Sequence, residues 1–351
     1  MKFLIPALAL LASAVRAEVV TLAHPGEALP EKSTVVWSPL FQATWDKLNS
    51  ELGGKPKKVE PPNALMTKLD SFKWEAGKVM PDGSWKTWSG PATADFIKQV
   101  NQEAATITGE KDGPFKLATE DPNKRAVFGL LDRVVAFQKE FSKSRKVPMD
   151  FQVNGQKTAV RFFGAQNEMI EGMSDSIRVL ASRPVDGSHA IQIRCKEADD
   201  TVILYLPAKA QDFATACSWL RTWRSQSHRP DRSGWDDPSL HLGDEIRIPY
   251  IDLKSNEDLA PKLDSIRQYG NMPWKITRAE QFTRFQLHEK GARVRVEEIY
   301  SADPFAEPRP PVYPRKFIYD RPFFVFLWRD KAEWPYFGAW IGDSSALKAF
   351  P

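Results

Sequence analysis

Side chains able to do chemistry are present in this 351-residue chain, but their spacing matches no recognisable catalytic arrangement. Gly342-Asp343-Ser344 resembles the serine turn of a hydrolase, yet no histidine follows it to act as the base. The histidines are scattered without the spacing of metal ligands: His24, His189, His228, His241 and His288. Motifs that bind nucleotide phosphates or zinc are missing from the sequence as well. We therefore predict that the chain is not an enzyme and has no metal site and no cofactor.

Two cysteines, Cys195 and Cys217, are the other residues with reactive side chains. In an oxidising compartment they could form a disulfide. Two separate buried thiols are an equally good interpretation, because the sequence alone does not bring the two residues within bonding distance. Both alternatives stay open.

A basic stretch is a candidate for binding a charged partner. Arg221, Arg224 and Arg229 lie in a run that could bind a polyanion such as a sulfated glycan. The favoured interpretation is the solvated end of a helix. The formal charge of the chain is +4, and losing Lys2 and Arg16 with a leader would leave 4 − 2 = +2. So small a charge does not predict nucleic acid as the partner.

The first 17 residues have the pattern of a cleaved signal peptide. Lys2 supplies a positive charge, residues 3–15 form an apolar stretch, and Val15-Arg16-Ala17 resembles a cleavage site. A membrane anchor is the alternative, but the stretch is too short to span a bilayer. We expect a secreted or periplasmic protein, free of the membrane, whose mature chain starts near Glu18.

The hydrophobic pattern predicts helices first and strands later along the chain, with 42% hydrophobic and 27% charged residues overall. Helices are expected over residues 38–52, 96–107, 212–224 and 259–266, the first with Ser38 as N-cap and Pro39 as the first helical residue. Strands are expected over residues 158–163, 177–181, 189–195, 201–206, 245–251, 282–296, 317–328 and 334–341. This order indicates an α+β fold. The chain divides into a signal peptide (1–17), a loosely structured lead-in (18–32) and one domain (33–351).

Several segments resemble those of the serpins, in the same order along the chain. Residues 317–328 and 334–338 are similar to the strand and hairpin that end a serpin, with Pro322-Phe323 at the centre. Glu289-Lys290-Gly291 looks like the start of the hinge of the serpin reactive loop. Residues 37–40, 164–166, 202–207 and 246–249 resemble the opening helix and three strands. The resemblance covers residues 33–343. It implies a serpin-like fold with large mixed β-sheets, an N-terminal set of helices and an exposed reactive-type loop.

The resemblance implies a mechanical function. A serine or cysteine protease would cleave the exposed loop, which would then insert as a new strand and trap the protease. The hinge would comprise Glu289, Lys290, Gly291, Ala292, Val294 and Val296, the last three facing inward. Family spacing places the scissile bond at Phe305–Ala306, which suits a chymotrypsin-like protease with an apolar pocket.

The hinge also departs from the family pattern. Inhibitory members carry Thr or Ser followed by small residues, whereas this chain has Ala292, Val294 and Val296. Extra bulk in a filled core costs about 1–3 kcal/mol, and an inward Glu298 without a partner is costly too. Residues 139–141 lack the usual Gly-x-Trp. The predicted function is protease inhibition. The alternative is a non-inhibitory serpin-fold binding protein, which the bulky hinge and the five loop prolines favour.

Overall fold

The structure is a computed structural model that describes residues 19–109, 111, 113–116, 120–144, 146–197, 199–225, 237–292 and 314–351. The predicted signal peptide and most of the predicted loop, residues 293–313, lie outside these ranges. Within the described ranges, no helix combines the length and apolar character needed to cross a membrane.

Helices and strands alternate irregularly along the described chain, as in an α+β fold. The helices are α1 Leu40–Glu51, α2 Ala64–Ser71, α3 Ala76–Val79, α4 Ala94–Thr108, α5 Glu168–Met173 and α6 Phe213–Ser225, with a 3₁₀ turn at Ala260–Leu263. The first strands are β1 Val20–Leu22, β2 Val35–Trp37, β3 Lys58–Glu60, β4 Trp85–Ala92, β5 Asp121–Leu131, β6 Val135–Ala136, β7 Ser142–Lys143, β8 Met149–Val153, β9 Gln156–Val160, β10 Phe162–Gln166 and β11 Ile177–Arg183. The later strands are β12 Ser188–Arg194, β13 Asp200–Leu206, β14 Glu245–Pro249, β15 Ile251–Asp258, β16 Ile266–Tyr269, β17 Met272–Lys275, β18 Glu280–Leu287, β19 Gly291–Ala292, β20 Lys316–Ile318, β21 Phe323–Arg329 and β22 Phe337–Ile341.

A seven-stranded sheet, in the order β1-β2-β22-β21-β13-β12-β11, forms the core. Strands β13 and β21 are buried along nearly their whole length, and α6 packs Phe213, Cys217 and Leu220 into the same core. Continuous apolar runs are typical of strands buried on both faces, and these two were predicted as strands for that reason. The segment predicted as one strand over residues 317–328 is divided into β20 and β21 around Pro322, whose nitrogen has no hydrogen to donate.

The start of the described chain is part of this sheet. Val20–Leu22, within the segment interpreted as a lead-in, pairs in parallel with Val35–Trp37. The helix predicted to follow begins at Leu40, one residue later than expected, with Pro39 at the N-cap position. Ser38 Oγ accepts a hydrogen bond from the Leu40 N–H at 3.2 Å and donates one to the Tyr336 carbonyl at 2.9 Å. The serine therefore ties the start of α1 to the segment before β22.

Two ribbons of two strands each, β4–β5 and β15–β18, lie outside the seven-stranded sheet. Helix α1 packs against β4 and β5. Strand β5 is paired on one edge with β4, and β18 on one edge with β15. Across residues 120–144 and 280–292, no hydrogen-bonded ladder joins β5 to β18. Strand β19 lies between β6 and the end of β18, and we call the space that a continuation of β19 would enter between β5 and β18 the slot.

The two cysteines are both buried free thiols in the structure. Cys195 follows β12 and lies near Asp200, whereas Cys217 is on α6 near Asp212. Burial raises the pKa of both thiols above the usual value. The structure thus has two separate buried thiols rather than the Cys195–Cys217 disulfide.

His189 on β12 is expected to make folding sensitive to mild acid. Its ring packs edge-on against Phe317 and Tyr319, its Nδ1 lies 3.2 Å from the Gly187 carbonyl, and burial lowers its pKa from 6.5 to about 3. Between these two pKa values His189 is protonated in the unfolded chain but neutral in the folded chain. The free energy of unfolding is therefore highest above pH 6.5 and falls as the pH is lowered toward 3. We expect a loss of about 2 kcal/mol between pH 6.5 and 4.5, measured by urea unfolding. His189→Phe should remove that part of the pH dependence. An equal pH dependence in both proteins would contradict the expectation.

Candidate functional site

The predicted hinge forms a tight turn at the end of β18. The strand ends at Leu287, and the N–H of His288 and the N–H of Gly291 each donate to the carbonyl of the other residue at 3.1 Å. Gly291–Ala292 then runs back as β19, antiparallel to Val135–Ala136 of β6. One strand over residues 282–296 was predicted, and the structure corrects this, because a two-residue turn at Glu289-Lys290 reverses the chain. Residues Val294, Val296, Phe305 and Ala306 lie outside the described residues.

Strand β19 lies on the slot side of β5 and β6. The N–H of Asp132 donates to the Ser84 carbonyl at 2.8 Å, which continues the pairing with β4. The N–H of Phe137 donates to the Lys290 carbonyl at 2.9 Å. Strand β19 pairs with β6 on one side and, through the bridge between His288 and Gly291, adjoins the end of β18 on the other. The hinge therefore occupies one end of the slot, between β6 and the end of β18.

Glycine is required at position 291, where the hinge begins to pair with β6. Its φ is +127°, which side-chain-bearing residues rarely adopt. A Cβ added there would lie 2.4 Å from the Val135 carbonyl oxygen and 2.8 Å from the Ala136 Cα. Both the backbone angle and the close approach of β6 thus select glycine.

Gly291→Ala is expected to weaken the pairing of β19 with β6. Backbone strain and the clash together should lower the free energy of unfolding by about 1–3 kcal/mol. The Phe137 amide, which donates to Lys290, should then exchange its hydrogen faster. Gly270→Ala is a matched control, since its φ is +60° but nothing lies within 4 Å of an added Cβ. Equal exchange of the Phe137 amide in both variants would contradict the assignment.

Glu289 ties the turn to two neighbouring elements. Its buried carboxylate accepts a hydrogen bond from the Tyr250 hydroxyl at 2.9 Å and pairs with Lys143 Nζ at 2.8 Å. Its carbonyl accepts the N–H of Phe141 at 2.9 Å. Burial alone would raise the pKa of Glu289, but the hydrogen bonds from Lys143, its own N–H and Tyr250 outweigh it and hold the pKa below the usual 4.5. Glu289 is therefore an ionised anchor at neutral pH.

Sequence reasoning missed Lys143, Tyr250 and Phe141. These residues lie on β7, between β14 and β15, and just before β7, and no fixed spacing connects them to the hinge. The only hint in the sequence was that residues 139–141 lack the family's Gly-x-Trp, which indicates a different packing beside the hinge. Phe141 fills that region instead, with its ring 5.4 Å from Phe137 and 5.5 Å from Phe163.

The far end of the loop is anchored by a buried ion pair. Arg315 and Asp244, at the junction with β20 and just before β14, have fully buried side chains, and Arg315 Nη2 lies 2.7 Å from Asp244 Oδ2. The Arg315 N–H donates to Asp244 Oδ1 at 2.8 Å, and Nη1 donates to the Asp237 carbonyl at 2.7 Å. The described residues on both sides of the segment 293–313 are therefore hydrogen-bonded to the rest of the fold.

Two of the arginines in the candidate polyanion-binding stretch contact tryptophan rings of the same chain. Arg221 stacks over Trp334 at 4.8 Å, and Arg224 over Trp328 at 4.7 Å. Burial lowers the pKa of Arg224 to about 10. These contacts attach α6 to the seven-stranded sheet, while Arg229 lies outside the described residues.

The described part of the hinge is defined by its backbone pairing. Among the described residues, no group of three or more His, Cys, Asp and Glu side chains is arranged to hold a metal ion. The features brought together here are a two-residue turn, a glycine with positive φ and the short strand β19 paired with β6.

Comparison with solved structures identifies the fold. Human glycosylated kallistatin is 12% identical, with 89% of this chain and 92% of that chain covered and a TM-score of 0.51. A tumour suppressing serpin is 12% identical over 89% and 93%, with a TM-score of 0.52, and thyroxine-binding globulin in complex with thyroxine is 11% identical over 89% and 93%, with a TM-score of 0.51. No protein-family model and no curated protein matches the sequence.

The chain therefore has the serpin fold, as its short motifs predicted, and the expected α+β class with several β-sheets is confirmed. At 11–12% identity the similarity shows the fold alone.

Proposed function

We propose that the chain inhibits serine or cysteine proteases by loop cleavage and insertion of the cleaved loop into the slot. One observation carries the proposal: β19 is already antiparallel to β6 at the end of a slot whose two edges have no common ladder among the described residues. Within the described ranges β5 pairs only with β4 and β18 only with β15, so a strand added between them would give each a second hydrogen-bonded neighbour.

Extending the pairing of β19 gives the register of the inserted strand. Ala292 is opposite Val135, so Val294 would lie opposite Arg133. On the other side, the bridge between His288 and Gly291 would place Val294 beside Phe285, which is buried. Residues paired across antiparallel strands share a face, so this register supports the inward orientation of the hinge valines.

The same register offers a partner for Glu298, whose inward position counted against insertion. It would lie beside Gln281, a buried side chain whose amide nitrogen donates one hydrogen to Thr283 Oγ1 at 3.4 Å and carries a second hydrogen. The amide nitrogen of Gln281 is a donor that reduces the penalty of burying a carboxylate.

Loop cleavage by chymotrypsin is the direct test. We propose Phe305–Ala306 as the scissile bond, to be identified from the masses of the fragments. The expected result is a large rise in Tm after cleavage and an adduct with chymotrypsin that resists SDS. Val294→Pro removes an N–H that the inserted strand needs, so this variant should be cleaved equally fast without either effect. Cleavage of the unaltered chain with neither effect would reject inhibition.

A non-inhibitory binding protein is the second candidate. Thyroxine-binding globulin, a similar structure at 11% identity, holds thyroxine. The valines of the hinge also add bulk that slows insertion. Cleavage without a rise in Tm would favour this candidate.

We also propose that the protein is exported. Support comes from the signal-like pattern of residues 1–17 and from the described fold, in which Val19 is buried and β1 begins at Val20. N-terminal sequencing of protein from a secreting host should give a start near Glu18, and an intact Met1 would contradict this.

A further inference from the structure

A tight turn over residues 24–27 follows strand β1, and we call it the N-terminal turn. The Glu27 N–H donates to the His24 carbonyl at 3.2 Å and closes the turn. Glu27 Oε1 accepts the N–H groups of Ala23 and His24, both at 2.8 Å. Inside the turn, the Gly26 N–H donates to His24 Nδ1 at 3.0 Å. The imidazole of His24 is therefore one of the acceptors that fix the backbone of this turn.

The N-terminal turn contacts two helices that are distant in the sequence. The Pro25 carbonyl accepts the N–H of Ala214, in the first turn of α6, at 2.9 Å. The Gly26 carbonyl accepts a hydrogen bond from Lys68 Nζ of α2 at 2.8 Å. An N–H in the first turn of a helix has no acceptor inside that helix, so the Pro25 carbonyl supplies a partner that α6 itself lacks. The turn thus attaches the N-terminal segment to both helices.

The hydrogen bond from Gly26 determines which atom of His24 takes up a proton. Because Nδ1 accepts this bond, the neutral ring carries its hydrogen on Nε2, and an added proton must bind at Nδ1. A protonated Nδ1 is a donor and no longer accepts the Gly26 N–H. The ring also packs edge-on against Phe72 at the end of α2, with 5.2 Å between the centroids, which leaves one side of the ring without water. Protonation therefore removes a hydrogen bond on which the turn depends.

The charged groups around the ring act in both directions. Among the described residues, Lys68 of α2 opposes a positive charge on His24 and Asp212, just before α6, favours it. The Glu27 carboxylate, within the turn itself, is bound to two backbone N–H groups. Burial and the charge of Lys68 outweigh Asp212 and lower the pKa of His24 from 6.5 to about 4. The closed turn is therefore fully favoured above pH 6.5 and loses stability relative to an open turn as the pH falls toward 4.

We infer that the N-terminal turn is a pH-sensitive switch: protonation of His24 opens the turn and releases the first turn of α6 and Lys68 of α2 from the N-terminal segment. Carboxylates usually titrate below pH 5, so mild acid between pH 7 and 5 acts mainly on imidazoles. The switch is independent of the proposed function, because none of its residues belongs to the hinge or to the slot.

Hydrogen exchange between pH 7 and 5 tests the switch, with each rate divided by the intrinsic rate at the same pH. The reporter is the Ala214 amide, which donates to the Pro25 carbonyl. Its protection in the unaltered protein should fall at least tenfold from pH 7 to pH 5. In His24→Asn, the side-chain oxygen replaces Nδ1 as the acceptor of the N–H two residues later and does not titrate. This variant should protect Ala214 equally at pH 7 and lose no protection at pH 5.

The control is a second histidine with the same local hydrogen bond. His288 Nδ1 accepts the Lys290 N–H at 3.2 Å in a different turn, so His288→Asn should keep the acid-induced loss of protection at Ala214. Equal losses in the unaltered protein and in His24→Asn would overturn the inference, as would constant protection of Ala214 in the unaltered protein. If His24→Asn already lacks this protection at pH 7, the ring of His24 in the unaltered protein is titrated by NMR. A pKa well below 6.5 would then support the switch, and a pKa of 6.5 or above would overturn it.

Discussion

Arg315→Met is expected to lower the free energy of unfolding by about 3–5 kcal/mol, because it leaves Asp244 as a buried charge without its cation. Both side chains are fully buried, and Arg315 also donates to the Asp237 carbonyl. The pair joins the end of the loop to the segment before β14, so its loss should also detach β20 from β14. Urea unfolding measures the first effect, and hydrogen exchange of the β20 amides measures the second.

The same substitution at an exposed ion pair provides the control. Arg278 pairs with Glu280 at 2.5 Å, but their side chains are 41% and 44% exposed. Because water already solvates both charges, Arg278→Met should change stability by less than about 1 kcal/mol. A similar change for both variants would mean that burial of the Arg315–Asp244 pair contributes nothing.

The central strands of the seven-stranded sheet could be predicted because their sequences are continuous apolar runs. Residues 201–206 and 323–328 are almost wholly apolar, and such runs fit a strand covered on both faces. Helix α6 was predictable from its period, since Phe213, Cys217 and Leu220 are spaced to form one buried face.

The site was only partly predictable, because its key contacts join residues far apart in the chain. The hinge residues Glu289–Gly291 were found through their resemblance to a family motif. Their partners Lys143 and Tyr250 were not, because a single lysine or tyrosine carries no pattern. The turn at Glu289-Lys290 was missed for a related reason. Apolar alternation continues on both sides of it, whereas the reversal depends on the hydrogen bonds between His288 and Gly291 and on the pairing of Gly291 with β6.

Glu289→Ala is expected to release the hinge from its seat. The substitution leaves the buried Tyr250 hydroxyl without its acceptor and Lys143 without its anion. The expected loss of stability is about 1–3 kcal/mol, the penalty for an unsatisfied buried polar group. Urea unfolding measures the loss of stability, and hydrogen exchange of the Phe141 amide, which donates to the Glu289 carbonyl, measures the release of the hinge.

Glu289→Gln separates the charge from the hydrogen bond. The amide oxygen still accepts from Tyr250, but the attraction to Lys143 is lost, so its effect should be smaller than that of Glu289→Ala. The pKa of Glu289 is held below 4.5, so the stability it contributes is fully present above pH 4.5 and is lost as the pH falls through the lower, folded-state value. The protection of the Phe141 amide, measured as its exchange rate relative to the intrinsic rate at each pH, should therefore fall in the unaltered protein only in stronger acid, because this amide donates to the Glu289 carbonyl. In Glu289→Gln the same amide should be faster already at pH 7 and show no further step. If acid reduced the protection of the Phe141 amide equally in both proteins, the titrating group that holds the hinge would not be Glu289.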